Sequence, residues 1–371
     1  MKAFILDKYG KNEQLRAGEL PEPDVRAHEV LVEVHAASVN VLDVKIKNGE
    51  FKRILPYRTP FVLGHDIAGV VVRTGKDVRQ FKPGDEVYAR LDDFRIGGFA
   101  EYAAIKESSL ALKPKNTTMV EAASIPLVGL TAWQALVEQA NLKRGQKVFI
   151  QAGSGGVGTF AIQLAKHLGA QVATTTSTAN SAWVKALGAD VVVDYKQADF
   201  ATVLSGYDVA LNSQDGKTLE KTLGTLKNGG QVISISGPPD VDFAKSIKAP
   251  WIVQQIMRLL SAGVTSKAGK RDIGYSFLFM KASGSQLGQI TKLVESGVIR
   301  PIVDKVFSFA QTNDAMRYVE SGRAKGSTQC ADDQRCGCCH RCNRWRGIRV
   351  CLERRWGACS CRVCRTCRGS F

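Results

Sequence analysis

Two patterns of apolar residues divide the chain near residue 125. Before it, short β-type runs such as 30–34 and 86–89 are separated by turn sequences such as 82–85. After it, β-branched runs alternate with segments of helical periodicity. Strands are predicted at 147–151, 171–176, 190–195, 207–213 and 230–236. This order predicts an α/β fold, in which a compact β-barrel-like domain precedes a doubly wound parallel sheet.

The alternation continues toward the end of the chain. A sixth strand is predicted at 275–281, and residues 299–309 return to β character. Between them a helix is predicted at 285–296, because four apolar residues fall on one helical face. These residues are Leu287, Ile290, Leu293 and Val294.

The turn after residues 147–151 is rich in glycine. Gly153, Gly155 and Gly158 satisfy G-x-G-x-x-G between a β-type run and an amphipathic helix. In this context the first glycine permits a tight turn, the second lets the backbone approach a pyrophosphate, and the third lets the helix pack on the strand. The helix N-terminus adds free N–H groups and a partial positive charge. The turn therefore predicts a dinucleotide-binding site.

The residues beyond these glycines favour NADPH over NADH. An NAD site usually carries an acidic residue about 20 positions further on, which holds the ribose 2′-hydroxyl. No acidic residue occurs between Thr159 and Ala189, and residues 175–178 are all Ser or Thr. Hydroxyl groups there can donate to a 2′-phosphate without repelling it, and Lys185 and Tyr195 are further candidate partners. The alternative is a site indifferent to the 2′ substituent.

The composition changes abruptly after Gly326. All ten cysteines lie from Cys330 onward, and residues 327–371 hold ten arginines, three acidic residues and no lysine. The net charge of this tail is +7, against +9 for residues 1–326. One interpretation is out-of-frame translation of a GC-rich gene, which leaves the tail disordered. The other is a zinc module with C-x2-C-x15–20-C-x2-C spacing, on Cys339, Cys342, Cys361 and Cys364. We favour the first, because a metal domain also needs a small core.

The remaining composition points to a cytoplasmic protein. No hydrophobic signal region precedes the first predicted strand, and no run of 18 apolar residues is present to span a membrane. The absence of cysteine before Cys330 fits a protein that needs no disulfides. We expect a small-molecule substrate, no membrane partner and no specific nucleic-acid partner. A homodimer remains open.

Several segments together resemble one known family. The resemblance is carried by Gly64-His65-Asp66 with Gly69, by the glycine turn, and by residues 36–52, 60–75, 81–89, 97–103, 110–116, 186–195 and 300–326. They are similar to the medium-chain dehydrogenase/reductase superfamily, and within it to the zinc-free quinone oxidoreductase and alkenal/one oxidoreductase branch.

The resemblance covers nearly all of residues 1–326 and none of the tail. It implies a GroES-like catalytic domain at 1–125 and 284–326, and a Rossmann NADPH-binding domain at 126–283. In this family a final strand of Lys and Val residues follows residues 322–326. That strand is missing here, which fits an out-of-frame tail at 327–371.

The resemblance also allows a test for zinc. A catalytic zinc in related alcohol dehydrogenases needs two Cys and one His, with an open position for substrate. The first Cys position is Asn40 here, and the second falls near residues 127–130, where no ligand exists. His65 is therefore expected to be a hydrogen-bonded structural histidine that Asp66 helps to orient, and no metal site is predicted.

The resemblance implies roles for further residues. Asn40 is the candidate donor to the carbonyl oxygen that gains negative charge during reduction, and its alternative role is to cap the turn at 40–43. Tyr57 is a second catalytic candidate, as a hydroxyl in the pocket wall, whereas Lys45 is expected on a surface helix or paired with Asp43. The implied cofactor-binding residues are Asn40, Thr131, Gly153, Ser154, Gly155, Gly156, Val157, Gly158, Ser177, Tyr195, Ser236, Gly237 and Phe279.

Three functions are compatible with these residues and with the resemblance. The first is NADPH-dependent reduction of quinones, or of the C=C bond of α,β-unsaturated carbonyls, by direct hydride transfer. The second is an enoyl-thioester reductase, whose phosphopantetheine substrate requires a basic groove. The third is a non-catalytic NADPH-binding protein associated with RNA.

Overall fold

A computed structural model describes residues 1–52, 55 and 57–331. Its strands are β1 (Lys2–Leu6), β2 (Arg16–Glu19), β3 (Glu29–Val39), β4 (Phe61–Val62), β5 (Asp66–Thr74), β6 (Glu86–Arg90), β7 (Tyr102–Lys106), β8 (Leu110–Leu112), β9 (Lys147–Ile150), β10 (Gln171–Thr176), β11 (Val191–Asp194), β12 (Tyr207–Asn212), β13 (Leu226–Ser234), β14 (Gly274–Phe277), β15 (Val303–Ser308) and β16 (Ser327–Ala331). Its α-helices are α1 (Val41–Asn48), α2 (Met119–Ala123), α3 (Pro126–Trp133), α4 (Gly156–His167), α5 (Thr178–Ala186), α6 (Phe200–Val203), α7 (Gly216–Thr225), α8 (Val241–Ser246), α9 (Trp251–Gly269), α10 (Gly284–Glu295) and α11 (Thr312–Glu320).

The N-terminal part is built around a seven-stranded sheet. Its order is β15-β16-β3-β5-β6-β8, with β7 also paired to β3, and a smaller sheet of order β2-β1-β4 accompanies it. Strand β3 pairs with β5 along one edge, while β7 and β16 share the other edge. Strand β3 is rich in Val and Ala, and both of its ends are buried. Such residues suit a strand that has partners on both of its edges. The predicted β-barrel-like domain is confirmed.

The second domain contains a six-stranded parallel sheet of order β11-β10-β9-β12-β13-β14. Val148, Phe149 and Ile150 of the central strand are fully buried, as expected for a parallel sheet covered on both faces. The sixth strand is shorter than predicted. It ends at Phe277, because that residue pairs with Ser234, the last residue of β13, and beyond this point the neighbouring strand offers no partner.

The helix predicted at 285–296 is present as α10. The Ser283 hydroxyl caps its N-terminus by accepting from the Gln286 N–H at 3.3 Å, and Leu287, Ile290 and Val294 are buried. The helix packs against α3 and β8. Across the described ranges, no helix combines the length and apolar character needed to cross a membrane.

The expectation that the final strand is missing is wrong. Residues Ser327–Ala331 form β16, which runs parallel to β15 and antiparallel to β3. The Cys330 side chain is buried in the domain core, and the Gln329 amide donates to the Ser38 hydroxyl at 3.1 Å. The gap between β15 and β3 provides backbone partners on both sides, so a strand forms there without the Lys/Val pattern. The boundary predicted after Gly326 therefore lies too early, and the candidate zinc ligands Cys339, Cys342, Cys361 and Cys364 lie outside the described residues.

Candidate active site

A cavity of about 410 Å³ lies beside the carboxyl ends of the parallel strands. Ala152, Ser213 and Ile235 line it, and these residues follow β9, β12 and β13. This edge is where ligands bind in doubly wound α/β folds. Residues of the β domain, among them Asn40 and Phe51, form the opposite wall.

Eight of the predicted site residues line this cavity, and six do not. Those at the cavity are Asn40, Thr131, Gly155, Gly156, Val157, Gly158, Ser236 and Phe279. Those away from its lining are Tyr57, Gly153, Ser154, Ser177, Tyr195 and Gly237. Ser177 and Tyr195 follow β10 and β11, which lie on the other side of β9 from β12 and β13, whose carboxyl ends line the cavity.

The glycine turn has a different steric requirement at each position. A Cβ added at Gly158 would lie 2.3 Å from the Ala152 carbonyl oxygen, and one added at Gly153 would lie 2.3 Å from Thr174 Oγ1. At Gly155 the nearest atom is 3.4 Å away, which is an ordinary contact. Gly153 and Gly158 are therefore required by packing, whereas Gly155 leaves open space in front of the backbone.

The N-terminus of α4 fits an anionic group. Gly155 is its N-cap residue, and within the described part of the chain no side chain caps the helix. First-turn N–H groups, including that of Val157, therefore remain available to a phosphate. Ser154 supports this loop through its backbone, since its carbonyl accepts from the Gly326 N–H at 2.9 Å. A dinucleotide pyrophosphate fits these residues.

The hydroxyl groups after β10 are less available than the sequence suggested. Thr175 Oγ1 accepts from the Ala152 N–H at 3.1 Å, and Thr176 is buried. Ser177 begins α5 as its N-cap residue, and its hydroxyl accepts from Asn180 Nδ2 at 3.2 Å. Of this run, Ser177 remains the best placed for a ribose substituent.

A carboxylate lies close to this position. Asp194 ends β11 and is hydrogen-bonded to the Thr178 hydroxyl, an interaction that lowers the pKa of Asp194. The parallel register sets Asp194 beside Thr176, and Tyr195 follows it as a largely exposed residue. Asp194 falls outside the stretch from Thr159 to Ala189 that predicted the coenzyme, because it belongs to the next strand.

Asn40 lies both at the N-terminus of α1 and at the cavity. It is the N-cap residue of α1, and its backbone N–H donates to Asp43 Oδ2 at 2.8 Å. Its side-chain amide donates to Asp66 Oδ2 at 3.1 Å, and the residue lines the cavity. Because an amide nitrogen carries two hydrogens, this bond leaves a second N–H for a ligand.

Asp66 holds the two walls of the cavity together. Its Oδ2 also accepts from the Leu127 N–H at 3.0 Å, at the N-terminus of the helix that carries Thr131. Its Oδ1 is buried without a partner among the described residues. Burial raises the pKa of Asp66 to about 8, against the opposing effects of the Leu127 and Asn40 hydrogen bonds and of the Arg90 charge.

His65 is a buried histidine with a different partner from the one expected. Its Nδ1 lies 2.6 Å from Asp43 Oδ1, so Asp43 rather than Asp66 orients the ring. The donor set does not fit a tetrahedral zinc ion, since Asn40 and residues 127–130 stand where related alcohol dehydrogenases need cysteine ligands. Within the described ranges, no three His, Cys, Asp or Glu side chains are grouped to hold a metal.

A buried polar network supports Ser236 and Gly237. The Ser236 hydroxyl donates to the Gln214 carbonyl at 2.5 Å, and the Gly237 N–H donates to the Ser234 hydroxyl at 2.8 Å. The Ser234 hydroxyl in turn donates to Asn212 Oδ1 at 2.5 Å. This network fixes the loop after β13, with Ser236 at the cavity and Gly237 behind it.

The other end of the cavity is apolar. The rings of Phe51 and Phe279 lie 6.2 Å apart, and Phe243 packs 5.6 Å from Phe279. Leu42 and Met280 complete this wall. A flat, largely apolar acceptor fits such a surface.

Two cationic residues of the cavity were not predicted as site residues. Lys45 lines it and does not pair with Asp43, whose oxygens bind His65 and the Asn40 N–H. Arg90 lines it from the end of β6, buried and ion-paired with Asp93. A charged residue at the end of a buried strand was the available signal for Arg90.

Tyr57 does not line the cavity. Its Oη is buried without a partner among the described residues, and burial raises the pKa of this phenol, with a smaller contribution from the Asp93 charge. Its backbone carbonyl accepts from the Tyr9 hydroxyl at 2.9 Å. The Tyr57 hydroxyl therefore does not form part of the cavity wall, where it was predicted to lie.

Comparison with known proteins agrees with this architecture. The family model described as alcohol dehydrogenase GroES-like domain matches residues 26–115, and that described as zinc-binding dehydrogenase matches residues 187–328. The human protein named NAD(P)H oxidoreductase RTN4IP1, mitochondrial, is 37% identical over 356 residues, covering 88% of this chain and 88% of that protein.

Two further matches extend this comparison. The Arabidopsis thaliana protein named NADPH-dependent alkenal/one oxidoreductase, chloroplastic, is 32% identical over 337 residues, covering 88% of this chain and 78% of that protein. The solved structure of a quinone oxidoreductase from Coxiella burnetii has a TM-score of 0.78 and 30% identity, covering 89% of this chain and 99% of that one. The chain therefore belongs to the medium-chain dehydrogenase/reductase superfamily of oxidoreductases, in its zinc-free quinone oxidoreductase branch.

Proposed function

We propose that this protein is an NADPH-dependent oxidoreductase that reduces quinones or the C=C bond of α,β-unsaturated carbonyls, without a catalytic zinc. The observation that carries this proposal is the cavity itself. It joins the N-terminus of α4, which suits a pyrophosphate, to an aromatic wall around Phe51 and Phe279. The names of the relatives, which include quinone and alkenal/one oxidoreductases, support the same substrate classes.

The reaction requires the protein mainly to position the coenzyme and the acceptor. The reduced nicotinamide, when bound, supplies a hydride, that is, two electrons and one proton. The acceptor takes up this hydride and one proton from solvent, and negative charge develops on its carbonyl oxygen. We expect the second N–H of Asn40 to donate to that oxygen, while Asp66 holds the amide in place.

Zinc is not required for this chemistry, because quinones and enones accept a hydride with little Lewis-acid help. The position of Asn40 favours an amide donor in that role, since its nitrogen keeps a second N–H beyond the one donated to Asp66.

The preference for NADPH rests on Ser177 and on the lack of an acidic residue between Thr159 and Ala189. Asp194 opposes it, because a carboxylate near the ribose repels a 2′-phosphate. We nevertheless expect NADPH to bind more tightly than NADH. The variant Ser177→Asp should reverse the preference, and fluorescence titration of both coenzymes tests this. Equal dissociation constants in the unmodified protein would contradict the proposal.

A substrate panel tests the reaction. NADPH absorbance is followed with a soluble quinone, a small enone, a saturated aldehyde and an enoyl-CoA. Turnover of the quinone or enone, without the aldehyde, supports the proposal. Turnover of enoyl-CoA alone identifies an enoyl-thioester reductase, and coenzyme binding without any turnover identifies a non-catalytic NADPH-binding protein. A cytoplasmic location and a homodimer remain predictions.

A further inference from the structure

Helix α9 carries a large exposed apolar surface. Ile252, Ile256, Leu259 and Leu260 follow helical spacing along one side, and Trp251 lies at the N-terminus. Their exposed fractions range from 51% for Ile256 to 75% for Leu259. We call these five residues the α9 face. A contiguous apolar surface of this kind marks an interaction site, whereas scattered single residues do not.

The chain around this face is basic. Six basic residues occur from Phe243 to Arg271, a segment bounded by Asp242 and Asp272. Lys245 pairs with Asp242, Lys267 pairs with Glu220, and the Arg271 guanidinium donates to the Leu223 and Leu226 carbonyls. The exposed residues with no acidic partner among the described residues are Lys248, Arg258 and Lys270.

A neighbouring side of α9 touches the wall of the cavity. Met257 and Val253 of α9 pack in one cluster with Phe243, Phe277 and Phe279. Phe277 and Phe279 also line the apolar end of the cavity. Helix α9 thus contacts the apolar end of the cavity and also carries the exposed α9 face.

We propose that the α9 face docks the protein on an anionic phospholipid bilayer, where its acceptor is a quinone or enone dissolved in the membrane. The identity of the acceptor rests on the proposed function, whereas the docking itself does not. Exposed Trp, Ile and Leu side chains beside Lys and Arg match a helix that lies in the plane of the interface. Anionic lipid headgroups complement the three unpaired cations.

A second copy of the chain fits this face less well. A two-fold contact places the same surface on both partners. The face would then bring Lys248, Arg258 and Lys270 close to their own copies, and the acidic residues nearest in sequence, Asp242 and Asp272, lie only at the ends of this segment. The expectation of no membrane partner rests on the lack of a spanning segment, and a helix lying on the surface needs none.

The test is co-sedimentation of the full chain with vesicles of phosphatidylcholine alone or mixed with phosphatidylglycerol. We compare the double variant Leu259→Gln/Leu260→Gln with the control Val203→Gln/Val306→Gln, which removes two similarly exposed apolar side chains elsewhere. All of these proteins keep the arginine-rich residues 332–371, so lipid binding by that segment is common to them.

The unmodified protein and the control should bind the anionic vesicles. The α9 variant should bind these vesicles more weakly, by a factor of roughly ten at least. Arg258→Gln/Lys270→Gln should weaken binding to anionic vesicles and reduce its sensitivity to salt. Equal binding by the α9 variant and the control would overturn the docking proposal. The docking proposal would also be overturned if the unmodified protein sedimented as a dimer and the α9 variant as a monomer.

Activity separates docking from the proposed function. With a water-soluble quinone and no vesicles, the α9 variant should turn over as the control does. With a long-chain quinone in anionic vesicles, it should be slower by about the factor lost in binding. Equal rates in the vesicles would overturn the membrane acceptor. Failure of every protein with every quinone and enone would refute the proposed function and leave the vesicle-binding result standing.

Discussion

Asn40 is the N-cap residue of α1 and the proposed hydrogen-bond donor to the acceptor. Two substitutions distinguish these two roles. Asn40→Ala removes both the N-cap residue and the amide, so we expect a loss of about 1 kcal/mol of stability and a fall in turnover of about 10²–10³-fold. Asn40→Ser retains a good N-cap residue but not the amide, so stability should recover and turnover should not. Urea unfolding, turnover and NADPH titration measure these effects. Near-normal turnover per folded molecule in both variants would assign Asn40 to capping alone.

Asp66 should make stability depend on pH. Its pKa is raised by burial to about 8, whereas an unfolded aspartate ionises near 3.8. Between these values the folded state retains a proton that the unfolded state has lost, so stability falls as pH rises from about 4 to about 8. The slope from this group is up to about 1.4 kcal/mol per pH unit. Asp66→Asn should remove that part of the slope in urea unfolding at pH 5 to 8. Parallel curves for the two proteins would show that Asp66 is ionised throughout.

At the level of the elements, two substitutions in the turn between β9 and α4 distinguish a packing requirement from a ligand-binding requirement. Gly155→Ala introduces only an ordinary 3.4 Å contact, so the protein should keep its melting temperature and lose coenzyme affinity. Gly158→Ala places a methyl group 2.3 Å from the Ala152 carbonyl, so it should lower the melting temperature. Thermal unfolding with and without NADPH compares the two variants. Unchanged affinity in Gly155→Ala would indicate that the pyrophosphate lies elsewhere.

Strand β16 sets the point at which the chain can be shortened. A chain that ends at Ala331 keeps the strand between β15 and β3, so its melting temperature should match that of the full chain. A chain that ends at Gly326 loses the ladders on both sides and the buried Cys330 side chain, and should unfold at a clearly lower temperature. Equal melting temperatures for the two shortened chains would show that β16 contributes little.

For the whole molecule, zinc content distinguishes the catalytic site from residues 332–371. We expect no stoichiometric zinc in the full chain or in the chain that ends at Ala331, and turnover that persists in a strong chelator. A zinc module on Cys339, Cys342, Cys361 and Cys364 would give about one or two zinc ions in the full chain only. Zinc in the shortened chain, with turnover lost on chelation and restored by zinc, would show that His65 belongs to a metal site.

The sequence by itself determined the architecture and the place of the glycine turn within it. Periodicity reflects which face of an element is buried, so the strands of the parallel sheet and α10 were predictable from local patterns. The glycine turn was predictable from its motif, although only Gly158 meets a local steric demand, from Ala152, whereas Gly153 faces Thr174 of the neighbouring strand. Asn40 was expected to lie at the nicotinamide or to cap a turn, and the structure shows the capping position at the edge of the cavity.

Only the tertiary structure decided which distant residues meet. Asp43 rather than Asp66 binds His65, and Asp194 lies beside Thr176, because sheet register and helix position set these pairs. Strand β16 forms because β15 and β3 leave a gap with unpaired backbone groups on both sides, whatever the side-chain pattern. The exposure of α9 likewise became visible only with its neighbours in place, since an apolar helix in a sequence is ordinarily assigned to the core.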